Sequence, residues 1–275
     1  MEKVVVIIPT LNEECRIGNV IDGLLEIRDQ LTDLQLEIIV VDGGSTDKTT
    51  EIAKRKGARV FVQNGNGKGN GMRQIFALGN PQEVVIQALS LSSDVDSKLH
   101  TLLTLLGSRY IMMMDGDGTY LASDLIKVLE ALRRGYDVVM GSRFLGRIEK
   151  NAMRRLNYLG NLMLSLIASI IYQKKTTDLC TGMWGFSTQA LRQMDLDSTH
   201  FDLEAEMFAE CSKRGFRIGE VPINYLPRAG NSKLIPTVAG FAIFKKLIQR
   251  RFASMGSKIA KTSETKKKAI TVEVR

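Results

Sequence analysis

Hydrophobic positions along this chain change their period repeatedly. Val4–Ile8 is a solid apolar run, and Glu13–Asp29 then spaces Ile17, Val20, Ile21, Leu24 and Leu25 three or four residues apart. The first pattern predicts a buried strand, the second an amphipathic helix that covers it. The rhythm continues with a strand over Glu37–Val41, a helix over Thr46–Lys56, a short strand over Ala58–Val62, a helix from Gly71 to Leu78, and a strand that ends at Asp115. A helix over Ala122–Arg134 and a strand over Asp137–Met140 follow, closed by a turn at Gly141-Ser142-Arg143. Such alternation implies an α/β fold with a mainly parallel sheet flanked by helices, in which ligands sit beyond the carboxyl ends of the strands.

Other stretches depart from this rhythm. Residues 159–172 are nearly all apolar or small but number only fourteen, short of the roughly twenty a helix needs to cross a bilayer core. Leu234–Phe252 has Pro236 near its start, stays apolar to Phe244, and then carries Lys245, Lys246, Arg250 and Arg251. That is the pattern of an amphipathic helix lying in a membrane interface, although core helices share the apolar content. Between Leu78 and Tyr110, the segments Val84–Leu91 and Leu99–Leu106 read as one or two extra helices. The expected division is a catalytic unit over 1–233 with a helical insertion at 80–108 and an apolar interfacial helix at 159–172, an interfacial helix at 234–256, and a basic flexible tail at 257–275.

Charge sharpens this division. The net charge is +8, and residues 245–275 alone hold ten Lys or Arg against two Glu, so the body carries 28 groups of each sign. A neutral body with a polybasic tail beside an apolar segment favours an anionic membrane surface over a nucleic-acid groove. A solvated, disordered tail is the plainer reading. Cys15, Cys180 and Cys211 are odd in number and widely spaced, which argues for reduced thiols and against a disulfide framework or a zinc site. The chain enters a strand pattern directly after Met-Glu-Lys, without a basic leader or cleavage site, so export is not expected.

The chemistry clusters at predicted strand ends. Asn12-Glu13-Glu14 follows the first strand and Asp42-Gly43-Gly44-Ser45-Thr46-Asp47 the second, while Asp115-Gly116-Asp117 follows Tyr-Ile-Met-Met-Met. In extended backbone, residues i and i+2 point the same way, so Asp115 and Asp117 can share one hard divalent cation. Taken alone, Asp115-Gly116-Asp117-Gly118 also fits an Asp-Gly turn. Gly65-Asn66-Gly67-Lys68-Gly69-Asn70-Gly71 puts one lysine in a glycine-rich segment just before a helix, an arrangement that suits either an anion cradle or a flexible loop.

The order of these motifs, with Gly-Ser-Arg-Phe after the next strand, resembles the inverting family 2 glycosyltransferases of GT-A fold. The likeness is to polyprenyl-phosphate sugar synthases of the dolichol-phosphate mannose synthase type. It extends to Thr177-Asp178-Leu179-Cys180-Thr181-Gly182, to Glu220-Val221-Pro222-Ile223, and to Arg228-Ala229-Gly230-Asn231-Ser232-Lys233, and covers roughly residues 4–78 and 109–235. The resemblance implies a GT-A (Rossmann-like) mixed, mainly parallel sheet with C-terminal interfacial helices. It implies transfer of a hexose or N-acetylhexosamine from a nucleoside diphosphate sugar to a polyprenyl monophosphate at the cytosolic face of the cell membrane.

By the same resemblance, Mg²⁺ or Mn²⁺ would be held by Asp117 and Asp115, with Thr119 where the family often has a glutamine ligand. Pro9, Asn12, Glu13, Asp42 and Lys68 would bind the nucleotide sugar together with Asp115. Arg143, Arg154 or Arg155, Arg228 and Lys233 would clamp the acceptor phosphate, with Asp178, Glu204 and Glu206 orienting the sugar or the arginines. The alternative is a soluble family 2 enzyme acting on a saccharide hydroxyl, with Glu206 or Asp178 as general base.

Overall fold

The structure is a computed structural model and describes residues 1–78, 101, 104–228 and 236–253. Seven strands form one mixed sheet in the order β3-β2-β1-β4-β6-β5-β7. They are β1 (Glu2–Thr10), β2 (Leu34–Asp42), β3 (Arg59–Val62), β4 (Tyr110–Met113), β5 (Val138–Ile148), β6 (Trp184–Ser187) and β7 (Ile218–Tyr225). The pairs β2–β3, β1–β2, β1–β4 and β5–β7 are parallel, and β6 runs antiparallel between β4 and β5.

The apolar runs lie where their composition requires, since a strand covered on both faces has no polar side to present. In β1, Val5 and Ile7 join a core with α3 (Lys68–Leu78), α5 (Arg155–Tyr172), α6 (Thr188–Gln193), α7 (Leu203–Lys213) and α8 (Pro236–Phe252). Val4, Val6 and Ile8 face the opposite core, built with α1 (Ile17–Gln30), α2 (Thr49–Arg55) and α4 (Asp124–Arg133). Trp184, Phe186 and Phe208 are fully buried on the first face.

Three sequence expectations shift. Arg143 does not end a strand: β5 continues through Gly141-Ser142-Arg143 to Ile148, because β7 pairs beside it as far as Ile148 and Tyr225, with a register irregularity between Ser142 and Arg147. Helix α3 begins at Lys68, so half of the glycine-rich segment is helical. The apolar stretch expected at 159–172 belongs to a longer, eighteen-residue helix starting at Arg155. Among the described residues no helix is long and apolar enough to cross a membrane. The tail at 257–275 lies outside the described residues, as does the insertion at 80–108 apart from residues 101 and 104–108. Within the insertion's described end, residues 104–106 are helical and Leu105 is buried in the core.

Candidate active site

Parallel pairing brings the carboxyl ends of β1, β2 and β4 to one edge, and the site is built there. Beyond β4, Met114 donates to the Ile7 carbonyl at 3.1 Å and Gly116 to the Pro9 carbonyl at 3.4 Å, which holds Asp115-Gly116-Asp117 against β1. Two glycines admit Asp115 to this corner. A Cβ at Gly116 would lie 2.4 Å from Thr10 Cγ2, and one at Gly182 would lie 2.2 Å from Asp115 Oδ2.

Asp115 is met by Lys68, whose Nζ lies 2.6 Å from Asp115 Oδ1 and 2.6 Å from Glu204 Oε1. Burial alone would lower the Lys68 pKa, but the two carboxylates more than offset it and the net shift is upward. The Asp115 carboxyl is pushed up, chiefly by burial and further by the neighbouring Asp117 and Glu204, against the pull of Lys68. Asp117 Oδ1 accepts from the Thr119 backbone N–H at 3.1 Å and from the Thr119 hydroxyl at 2.6 Å, while its Oδ2 lies 3.2 Å from Arg228 Nη1. The other Arg228 amino group binds Glu13. Arg228 Nε is enclosed and has no hydrogen-bond partner among the described residues.

A second cation sits across the cavity. Arg143 grips Asp178 through two side-chain bonds of 2.7 Å each and a backbone N–H at 2.9 Å, and its guanidinium lies 5.0 Å from the centre of the Tyr225 ring. Burial would lower the Arg143 pKa, but Asp178 holds it well above the ordinary value. Glu220 fixes the loop that presents Asp178, accepting from Thr176 Oγ1, Thr177 N and Thr177 Oγ1 within 2.8–2.9 Å.

These groups share one cavity of about 800 Å³. Its polar end is lined by Pro9, Glu13, Lys68, Asp115, Asp117, Arg143, Glu204 and Arg228, and its apolar end by Leu156, Met163 and Ile167 of α5 with Phe241, Ile243 and Phe244 of α8. The outer faces of both helices are also apolar: Leu159, Leu166 and Ile170 of α5, and Val238 and Phe252 of α8, are exposed, as are Met163 and Phe241 at the cavity rim.

Most residues singled out from the sequence meet here, but not all. Asp42 is buried behind the wall, accepting from the Gly44 and Ser45 amides, and Asn12 accepts from the Thr46 amide. Both shape the loops that flank the cavity rather than lining it. Arg154 and Arg155 are exposed at the start of α5 and do not line it either, and Lys233 lies outside the described residues. Glu206 corrects an expectation: it is fully buried in α7, bound to Arg250 and to the Asp197 and Ser198 amides, and it is not part of the cavity wall. Tyr120, Tyr225 and Gln63 line the cavity although no sequence signal marked them. Their roles come from folding distant segments together, as when Tyr120 Oη accepts the Gly182 amide at 2.7 Å.

The donor set suits a hard divalent ion bound largely through its other ligands. Asp115 Oδ2 faces the space that the missing Gly182 side chain leaves open, and among the described residues no group of three or more His, Cys, Asp or Glu forms a complete cage. Mg²⁺ and Mn²⁺ need only one or two carboxylates when phosphates and water complete the shell. Such an ion would offset the burial, and with it the neighbouring Asp117 and Glu204 charges, that push the Asp115 carboxyl up.

The Glycosyl transferase family 2 profile matches residues 5–86 and 98–195 of this chain. The chain is 36% identical over 251 residues to glycosyltransferase AglJ of Haloferax volcanii, covering 90% of this chain and 72% of that protein. It is 33% identical to a dolichyl-phosphate hexose transferase of the same organism, covering 89% and 92%. Among solved structures, glucosyl-3-phosphoglycerate synthase from Mycobacterium tuberculosis, in complex with Mn²⁺, uridine diphosphate and glucosyl-3-phosphoglycerate, superimposes with a TM-score of 0.61 at 20% identity over 92% of this chain and 81% of that one.

Proposed function

We infer that this chain, which belongs to glycosyl transferase family 2 and is a glycosyltransferase, moves a hexose or N-acetylhexosamine from a nucleoside diphosphate sugar to a polyprenyl monophosphate at a membrane surface. The observation that carries the reading is the single cavity joining the carboxylate edge of the sheet to an apolar trough between α5 and α8. An activated sugar suits the first end and an isoprenoid chain the second.

Asp115 and Asp117 would hold a divalent cation. That ion supplies charge neutralisation for the departing diphosphate, the main demand of glycosyl transfer. Lys68, already set between Asp115 and Glu204, adds a fixed positive charge beside the diphosphate. Pro9 and Glu13 flank the nucleotide, with Asn12 and Asp42 bracing their loops. Arg143 and Arg228 line the cavity, and each would exchange part of its present carboxylate contact for an acceptor phosphate.

The state of the carboxylates supports an acceptor that is already anionic. Each described carboxylate on the cavity wall is held by a cation: Glu13 and Asp117 by Arg228, Asp115 and Glu204 by Lys68. Asp178 is committed to Arg143, and Glu206 lies off the wall. A saccharide hydroxyl would need a free carboxylate base, whereas a phosphate monoester oxygen needs only alignment. The exposed apolar faces of α5 and α8 support peripheral seating in the bilayer interface.

The test is transfer from a panel of GDP- and UDP-sugars in the presence of Mg²⁺ or Mn²⁺, with polyprenyl phosphate in detergent or vesicles against free saccharides. The expected product extracts into organic solvent and disappears in Asp117→Asn with the fold retained. Transfer to a saccharide without lipid phosphate would overturn the acceptor, and full activity in Asp117→Asn would overturn the metal site.

A further inference from the structure

The basic residues of α8 do not all face outward as their sequence suggests. Lys246 and Arg250 turn into the protein, with side chains only 12% exposed, whereas Lys245 and Arg251 remain exposed. Arg250 reaches Glu206 through Nε at 2.6 Å and Nη2 at 2.5 Å, and donates to the Asp195 carbonyl. Lys246 binds Asp197 Oδ1 at 2.6 Å and Asp202 Oδ2 at 3.2 Å.

The same carboxylates organise the turn between α6 and α7. Glu206 accepts the Asp197 amide at 3.0 Å and the Ser198 amide at 2.8 Å. That turn in turn backs the donor loop. Thr199 O accepts the Asn70 amide at 3.0 Å, and Asp197 O accepts from Arg73 at 2.9 Å. A Cβ at Gly67 would fall 2.2 Å from Thr199 O, and one at Gly69 would fall 2.7 Å from Ser198 O, so the loop rests on this turn with no side chain between. Lys68 stands between those two glycines, and Glu204, which holds it, is half a helical turn from Glu206.

We propose that Arg250, assisted by Lys246, is a positioning residue for the donor diphosphate, acting through Glu206 and the 197–199 turn on the loop that carries Lys68. The proposal rests on the reading above that the diphosphate binds beside Lys68. A fully buried Glu206 carboxylate needs Arg250 as its counter-charge; without it the carboxylate must protonate or recruit water, and its two amide bonds weaken. The turn then no longer fixes Gly67 and Gly69, and Lys68 loses its set position. Because α8 also walls the apolar trough, its seating at the bilayer and the shape of the donor site become one equilibrium.

The test is titration of UDP and GDP with Mg²⁺ into the full chain in detergent. Arg250→Ala is expected to weaken binding about tenfold or more, Arg250→Lys to recover most of it, and exposed Arg251→Ala to change nothing. Arg250→Ala combined with Lys68→Ala should bind no more weakly than Lys68→Ala alone, since both act on one group. Unchanged affinity in Arg250→Ala, or losses that add, would overturn the proposal. Hydrogen exchange at the Asn70 amide gives a second readout that needs no nucleotide: it should speed up in Arg250→Ala and, as a milder variant, in Lys246→Ala. Unchanged exchange in both would overturn the coupling, whereas wild-type protein that binds neither nucleotide would overturn the donor reading and leave the coupling to the exchange result.

Discussion

Replacing Asp178 with alanine isolates the energetics of the most enclosed ion pair at the site. Asp178 is fully buried and Arg143, although it borders the cavity, is only 6% exposed, so solvent screens the pair little. The truncation strands a guanidinium that cannot shed its proton, together with the Nε, Nη2 and backbone N–H donors that Asp178 satisfied. Removing one partner of such a pair costs about 3–5 kcal/mol. At roughly 2–4 °C per kcal/mol for a chain of this class, the melting temperature should fall by about 6–20 °C. Arg143→Ala should cost less, because the carboxylate left behind can take up a proton. The double variant Asp178→Leu with Arg143→Met should recover most of the loss, since neither charge remains to be desolvated. The sole tryptophan, Trp184, is fully buried and donates to the Thr181 carbonyl at 2.8 Å, three residues from Asp178, so its fluorescence in a urea titration reports this corner. A loss below about 1 kcal/mol, the range of exposed pairs, or a double variant as unstable as Asp178→Ala, would refute a dry, mutually dependent pair.

Three further outcomes follow from the same geometry. Thr119→Val removes a 2.6 Å hydroxyl bond to Asp117 and should cost about 1 kcal/mol while weakening the response to Mg²⁺; an unchanged metal titration would show that Thr119 does not orient Asp117. Leu166→Glu with Phe241→Glu places charge on exposed apolar faces and should reduce flotation with anionic vesicles on the order of tenfold or more, with circular dichroism unchanged; undiminished flotation would remove these faces from the membrane contact. Burial pushes the Cys180 thiol up to about 12, so its alkylation should climb with pH without levelling off below that value, while exposed Cys15 reacts first; early modification of Cys180 at pH 8 would refute that burial.

The repeating period located β1 to β4 and the helices between them; β1 and β4 are buried on both faces, and their apolar runs end where the sheet ends. The same ends positioned Asp115 and Asp117, since a carboxylate directly after a buried strand must emerge at the sheet's edge. What could not be read along the chain depends on partners remote in sequence. Strand β5 looks finished at Met140, yet it runs on because β7 lies beside it. The sign of Lys246 and Arg250 was plain, but not their direction, which Asp197 and Glu206 decide across 49 and 44 residues of sequence. Glu206 itself had the residue type of a general base, and only the fold shows it spent on holding a turn.

The sheet order carries a consequence for how the chain is made. Strand β5 reaches the rest of the sheet only through β6, which is synthesised after α5. On a growing chain β1 to β4 can close from parallel partners already present, while β5 must wait for Trp184–Ser187 to insert antiparallel on both sides. Long-range pairing of this kind is slow and leaves apolar surface exposed in the meantime. Arg143 therefore emerges well ahead of Asp178, and the greasy face of α5 emerges ahead of the wall it will form. Assembly is vectorial: a segment that seeks apolar company is outside the ribosome before its pocket exists.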